Sequence, residues 1–251
     1  MLEINKIYNE SCLDTMSRMP DDFVDLVITS PPYNMNLRIR EGEYCSRQIV
    51  EEFSTKYKGF ADNLPIEEYY ELHKSILKEL LRVSGLVFYN VQIVTGSKRA
   101  IFKLIGDFSD SLKDIVVWNK MHAQPAMHDN VFNSQYELVL IFDKHNAISR
   151  AFDFCNFGRG KLSNVWDIRR EKTRGEHGAT FPIELPKRIV RNFSKENDLV
   201  YDPFLGTGIT AMAAKTYGCN YIGSEISEEY FRIAEKGIRE TVRKPLDFNQ
   251  F

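Results

Sequence analysis

The chain has 251 residues, 43% of them hydrophobic and 27% charged, which suits one large α/β domain able to bury a sizeable core. A formal net charge of −2 neither advertises nor excludes a nucleic-acid binder, because local charge decides such contacts. Its apolar runs are too short to span a bilayer, its start (MLEINKIYNE) lacks a secretory pattern, and Cys12, Cys45, Cys155 and Cys219 form no CxxC pair for zinc or a disulfide framework. A cytoplasmic protein with reduced thiols and no membrane partner is expected.

The first thirty residues predict a strand over 4–8, a helix around 12–19 and an apolar strand, VDLVI, over 24–28. That strand runs straight into TSPPYN, residues 29–34. Two prolines cannot extend a ladder or a helix, so a buried strand ends in a stiff turn that carries a tyrosine. Residues 35–65 are polar and mixed in charge, with Arg38 and Arg40 among them, and read as a long, mobile loop or insertion. IEEYYELHKSILKELLRV then places Ile66, Tyr69, Tyr70, His73, Ile76, Leu77, Leu80 and Leu81 on one helical face, with Pro65 before it and Gly85 after it as start and stop signals.

Next come a buried strand over 86–91, a helix over 98–105, and strands over 114–118 and 136–142, separated by a loop holding His122, Pro125 and His128. Residues 150–180 lose periodicity. A helix over 186–193, a strand over 199–201, a helix over 209–217, a strand over 221–224 and a helix over 228–239 complete the chain. Strands alternating with helices predict a doubly wound, mostly parallel sheet with helices on both faces, in a single domain over 1–251. Ligands in such sheets sit at the carboxyl ends of strands.

The stretch NDLVYDPFLGTGITAMAAKTYGCNYIGSEIS reads as strand, glycine turn, helix, strand and acid. Gly206 and Gly208 permit a tight turn and close approach of a ligand. Glu225, about twenty residues on, stands where a carboxylate accepts from two ribose hydroxyls. With Asp202 before the turn, the pattern predicts an adenosine-type cofactor. Ala211 replaces the third glycine of GxGxxG, no basic cluster for phosphates accompanies the loop, and no GK[ST] follows, which speaks against a dinucleotide and excludes a P-loop. The histidines show no HExxH and no cysteine partners, so no metal is expected. A plain β–α turn is the competing reading of the glycine stretch, and a rigid strand-ending turn that of SPPY.

Taken together, TSPPYN and DPFLGTG resemble the S-adenosylmethionine-dependent DNA amino-methyltransferases, which methylate exocyclic amines of cytosine or adenine. The SPPY-first, FLGTG-last order resembles the family's β arrangement, and the resemblance covers nearly the whole chain. It implies a catalytic element of Ser30, Pro31, Pro32 and Tyr33. Ser30 and the Pro31 carbonyl would meet the amine, Pro32 would fix the turn, and Tyr33 would stack on a base flipped out of the duplex. It implies S-adenosyl-L-methionine as cofactor, held by Asp202, Pro203, Phe204, Gly206, Thr207, Gly208 and Glu225. Phe181 in HGATFPIELP would lie at its methionine end. Where the family shows an aspartate in a GD-C pattern, this chain has NESCL, so contact to the adenine falls to the Ser11–Cys12 backbone.

VFNSQYE resembles the strand entry that brings a second aromatic to the flipped base, with Phe132 or Tyr136 as that aromatic and a core role as the alternative. Arg159, Lys161, Arg169, Arg170, Lys172 and Arg174, interleaved with Trp166, form a basic segment within 150–180 expected to contact DNA; Arg38 and Arg40 are a second such candidate. Double-stranded DNA is the implied partner and a cognate restriction endonuclease the implied functional partner, with a homodimer left open. Serine before PPY is more typical of cytosine-N4 enzymes and aspartate of adenine-N6 enzymes, so cytosine N4 is the favoured target and adenine N6 the alternative. A catalytically silent DNA-binding module, a nicotinamide-dependent oxidoreductase, and a methyltransferase of RNA or of protein glutamine are the remaining readings.

Overall fold

The computed structural model describes residues 2–34, 38–40, 43–45, 52–53, 64–124, 129–170 and 181–243. Its centre is an eight-stranded sheet. In chain order these strands are β1 (Lys6–Tyr8), β2 (Leu26–Thr29), β6 (Leu86–Val91), β7 (Leu112–Gln124), β8 (Ser134–Asp143), β9 (Val165–Asp167), β10 (Leu199–Asp202) and β11 (Asn220–Ser224). Their spatial order is β1-β11-β10-β2-β6-β8-β7-β9. All run the same way except β8, which is antiparallel to both neighbours.

Side chains alternate across the central strands, as a sheet covered on both faces requires. Val27, Val87, Tyr89, Leu140 and Tyr201 face one layer with α1 (Cys12–Met16), α2 (Ile66–Val83) and α3 (Lys98–Asp107). Leu26, Ile28, Phe88, Ile141 and Val200 face the other with α4 (Glu184–Phe193) and α5 (Ile209–Thr216). The last helix, α6 (Glu228–Glu240), packs its Ala234 and Ile238 with Ala211 of α5 and Ile7 of β1.

The doubly wound, mostly parallel sheet is as the sequence predicts, with corrections in the irregular stretches. Residues 35–65, expected as a loop or insertion, contain a small antiparallel sheet of β3 (Arg38–Arg40), β4 (Glu43–Cys45) and β5 (Glu52–Phe53), in the order β4-β3-β5. Strands this short leave no periodicity to detect. His122 lies inside β7 and not in a loop; Pro125 and His128 are outside the described residues. The unassigned stretch 150–180 contains β9, which pairs parallel to β7 at the sheet edge.

The arrangement that positions a site is the pairing of β2 with β10 (Val200↔Leu26, Tyr201↔Val27). From β2 the chain winds toward β6, and from β10 it winds the opposite way, toward β11 and β1. This is the topological switch point at which open α/β sheets bind ligands. It brings TSPPYN and DPFLGTG side by side.

Candidate active site

At the carboxyl edge of the sheet, the loops after β1, β2, β10 and β11 and one turn of α2 enclose a cavity. Cys12, Ser30, Tyr33, Phe204, Gly206 and Glu225 are among its lining residues, and Leu72 and Ile76 of α2 supply an apolar wall.

One half is organised by backbone. Gly206 has φ +55° and Gly208 φ +88°, a region open to glycine and costly for other residues. A Cβ at Gly206 would meet only the Phe204 carbonyl at 3.9 Å, so the space beside it is open, whereas one at Gly208 would come within 2.9 Å of Ala234 Cβ. Gly206 therefore borders the cavity, and Gly208 permits α5 to dock on α6. Glu225 accepts from Gly206 N–H through Oε2 and from Ser227 N–H through Oε1, each at 2.8 Å. A carboxylate offers about four lone-pair directions, so it is fixed in place with acceptor capacity to spare. Burial raises its pKa. A rigid acid, an open glycine edge and apolar walls suit a ribose, its chain and a flat ring.

Asp202 does a different task from the one the sequence suggests. It is buried, 1% exposed, and does not border the cavity. It accepts from the Thr29 hydroxyl (2.8 Å), Phe204 N–H (3.0 Å) and the Thr210 hydroxyl (2.6 Å). Burial pushes it up to about 6. Asp202 therefore staples the end of β2 to the glycine turn. Ser11 accepts from Leu13 N–H at 3.3 Å and caps α1, while Cys12, raised to about 12 by burial, is an inert wall. Phe181 packs on the α4 layer, on the opposite face from α2, and does not border this cavity.

The other half is built from side chains. Pro31 and Pro32 are buried, and the Pro32 carbonyl accepts from Tyr69 Oη of α2 at 2.8 Å. His73, one turn on, contacts Tyr89 Oη through Nδ1 at 2.6 Å and is held neutral by burial, at about 3. The Tyr33 hydroxyl is 2.7 Å from Ser30 Oγ, receives Asn90 Nδ2–H at 2.6 Å, and donates to Glu137 Oε2 at 2.9 Å. Glu137 also accepts from Asn90 at 2.8 Å. Its other oxygen lies 2.9 Å from Lys120 Nζ, a charge pair rather than an aligned hydrogen bond.

A family model for DNA methylases matches residues 24–236. The chain belongs to this N6/N4 DNA methylase family. These are S-adenosylmethionine-dependent DNA methyltransferases of cytosine N4 or adenine N6. Among its relatives are the Type II methyltransferases M.HinfI of Haemophilus influenzae, 28% identical over 97% of this chain and 71% of the relative, and M.BglII of Bacillus subtilis, 29% identical over 92% and 68%. In fold, the chain is similar to PvuII DNA methyltransferase (cytosine-N4-specific), with a TM-score of 0.68, 17% identity and coverage of 100% and 97%. It is also similar to M1.HpyAVI in its SAM complex, with a TM-score of 0.60, 22% identity and coverage of 92% and 98%.

For a methylase, the expected DNA contacts divide by edge. β9 is tied to β7 by Asn119 Nδ2–H to Asp167 Oδ1 at 2.7 Å and Trp118 Nε1–H to the Ile168 carbonyl at 2.8 Å. The exposed Arg169 and Arg170 thus emerge on the carboxyl edge of the sheet. Arg159 and Lys161, on the segment entering β9, lie toward the opposite edge. Trp166 is 1% exposed and donates to the Ser163 carbonyl, so it is core and not a DNA-facing aromatic. Phe132 and Tyr136, 99% and 53% exposed, are outside the core, near the start of β8 on the same carboxyl edge. Arg38 and Arg40 lie on β3; Lys172 and Arg174 fall outside the described residues. No helix among the described residues is long and apolar enough to cross a membrane, and none of them forms a metal-binding group.

Sequence reasoning missed Asn90, Lys120, Glu137 and Tyr69. A signal existed for two of them: Lys120 directly after VVWN and Glu137 directly before LVLIF are charges that adjoin apolar runs. Such charges are rarely buried unless paired.

Proposed function

We propose that this methylase acts on duplex DNA at the N4 amine of a flipped cytosine. The observation that carries this reading is the adjacency of Ser30–Tyr33 and Gly206–Glu225 across the paired β2 and β10. An acceptor site for an amine thereby shares one cavity with a ribose-binding acid.

Glu225, Gly206, Thr207 and Phe204 would hold the cofactor, with Leu72 and Ile76 against its apolar parts. When bound, S-adenosylmethionine supplies a methyl group already activated on a sulfonium. The protein's task is then to position the nucleophile. A base amine is a poor nucleophile because its lone pair is delocalised into the ring. Acceptors aimed at its hydrogens, Ser30 Oγ and the Pro31 carbonyl, favour the pyramidal form that attacks. Tyr69 anchors the adjoining Pro32 carbonyl, so the turn is rigid before the base arrives. The Tyr33 ring supplies a stacking face, and unstacking the base costs a few kcal/mol. Arg169 and Arg170 would contact the phosphate backbone, and Phe132 would be the second aromatic at the base.

Serine before PPY supports cytosine over adenine. The Type II relatives support a modification role beside a restriction endonuclease. The test is transfer of labelled methyl from S-adenosylmethionine to unmethylated duplex DNA, followed by nucleoside mass spectrometry. N4-methylcytosine is the expected product. N6-methyladenine would overturn the base assignment alone, and no methylated nucleoside despite cofactor binding would overturn the DNA substrate.

A further inference from the structure

A serine hydroxyl can donate or accept, and only an accepting oxygen helps an amine to attack. What sets its role is visible in the hydrogen bonds behind it. Tyr33 Oη has one proton and two lone pairs. The proton goes to Glu137 Oε2 at 2.9 Å, and one lone pair is taken by Asn90 Nδ2–H at 2.6 Å. The remaining contact, Ser30 Oγ at 2.7 Å, can then form only with Ser30 as donor.

The amide of Asn90 is fixed the same way. Its Nδ2 faces Glu137 Oε2, Tyr33 Oη and, at 3.4 Å, Ser30 Oγ; the Glu137 carboxylate can only accept, so the nitrogen points there. Glu137 is 6% exposed and Lys120 is 1% exposed. Their charges compensate each other in an interior that would otherwise reject either one. A carboxylate at the end of the chain imposes one direction on it: Ser30 to Tyr33 to Glu137. Ser30 has spent its proton and presents lone pairs only.

We propose that Glu137, held by Lys120 and Asn90, is the positioning residue that turns Ser30 into an obligate acceptor for the target amine. This rests on the methyltransferase reading above. The step balances. As the amine lone pair forms the N–C bond, the methyl leaves sulfur with the C–S electron pair remaining there. The methylated amine, cationic when first formed, gives its surplus N–H proton to solvent water, so the Ser30–Tyr33–Glu137 chain keeps its protons throughout. The products are a neutral methylamine and an unchanged hydrogen-bond chain. The chain delivers to a serine-type motif the negative charge that an aspartate would carry directly.

The experiment compares the unaltered enzyme with Glu137→Gln, Glu137→Gln combined with Lys120→Met, Tyr33→Phe, and Tyr33→Phe combined with Glu137→Gln. The Lys120→Met change spares the fold a buried, unpaired ammonium. Tyr33→Phe keeps the ring and cuts the chain without touching the ion pair, so the idea stays testable if the buried variants do not fold. Readouts are kcat and KM on DNA that the unaltered enzyme methylates, cofactor Kd by calorimetry, and fluorescence of 2-aminopurine at the target position as a report of base flipping.

The expected result is a fall in kcat of about twentyfold in Glu137→Gln and in Tyr33→Phe, as for loss of one charge-assisted link. KM, Kd and flipping fluorescence should stay within about twofold, and the two changes together should cost no more than either alone. Unchanged kcat, multiplying losses, or a parallel rise in KM and Kd would overturn the proposal while leaving the enzyme's function standing. An unaltered enzyme that methylates no base would sink the functional reading, and this inference with it.

Discussion

The two halves of the site share one sheet edge and are made in opposite ways. The cofactor half comes from a nearly contiguous run, 202–208, plus one acid at the end of the next strand. Its main devices are backbone N–H groups and a glycine at positive φ. The amine half is gathered from β2, β6, β7 and β8, and its central bond joins residues 104 apart. The first kind tolerates change in side chains but not in backbone conformation. The second tolerates neither a lost charge nor a lost hydroxyl, because each member fixes the direction of the next.

Substitutions can break that contrast. The largest effect is expected from Gly206→Val, which combines a positive-φ penalty with a branched side chain in the open edge. Cofactor Kd measured by calorimetry should rise at least about a hundredfold while the thermal transition is kept. Tight binding by this variant would mean that the turn does not border the cofactor. Tyr33→Ala should do the converse, lowering kcat by about fiftyfold with cofactor Kd within about twofold. If the two variants behave alike in both measurements, the division into halves is wrong.

Asp202 joins the halves, so its effect is on the fold. Asp202→Ala strands the Thr29, Thr210 and Phe204 donors and should cost about 2–4 kcal/mol in urea unfolding. Its raised pKa gives this residue a sign of its own. The folded carboxyl holds its proton up to about pH 6, whereas the unfolded one releases it near 3.8. Its contribution to stability therefore declines as pH rises through that interval and is flat above it. Asp202→Asn should remove this slope in unfolding curves taken between those limits.

A milder effect concerns Glu225. Because burial raises its pKa, protonation begins above the ordinary glutamate range and removes acceptor capacity as pH falls. Cofactor affinity should weaken on acidification by a few-fold before the protein unfolds, and Glu225→Gln should abolish that dependence in titrations across pH. The smallest effect tests the edges: Arg169→Ala should weaken DNA binding by a few-fold and flatten its salt dependence, with Lys161→Ala leaving both unchanged.

What could be read in advance follows the same division. The glycine turn, Glu225 and SPPY were legible because each is a short, local constraint written in consecutive residues. The alternating apolar strands were legible because burial on both faces demands them. β3 to β5 and β9 were not, since two or three residues carry no period. The Glu137–Lys120 pair was not legible as a pair, because its register depends on a hairpin with shifts between Asn119 and Gln124. Asp202 was recognised as a site residue, but its donors Thr29 and Thr210 show that it supports the cavity from behind.

The pairing of β2 with β10 also bears on how the molecule comes into being. Thr29 and Asp202, bonded across that pair, are 173 residues apart. During synthesis β2, apolar and fully buried along LVIT, leaves the ribosome long before the strand that will cover its flank. Non-local parallel pairing is slow, and an uncovered apolar strand edge invites association with other chains. Insertion of β10 should therefore be a late event in folding, and the nascent chain is at its most aggregation-prone until that strand is in place.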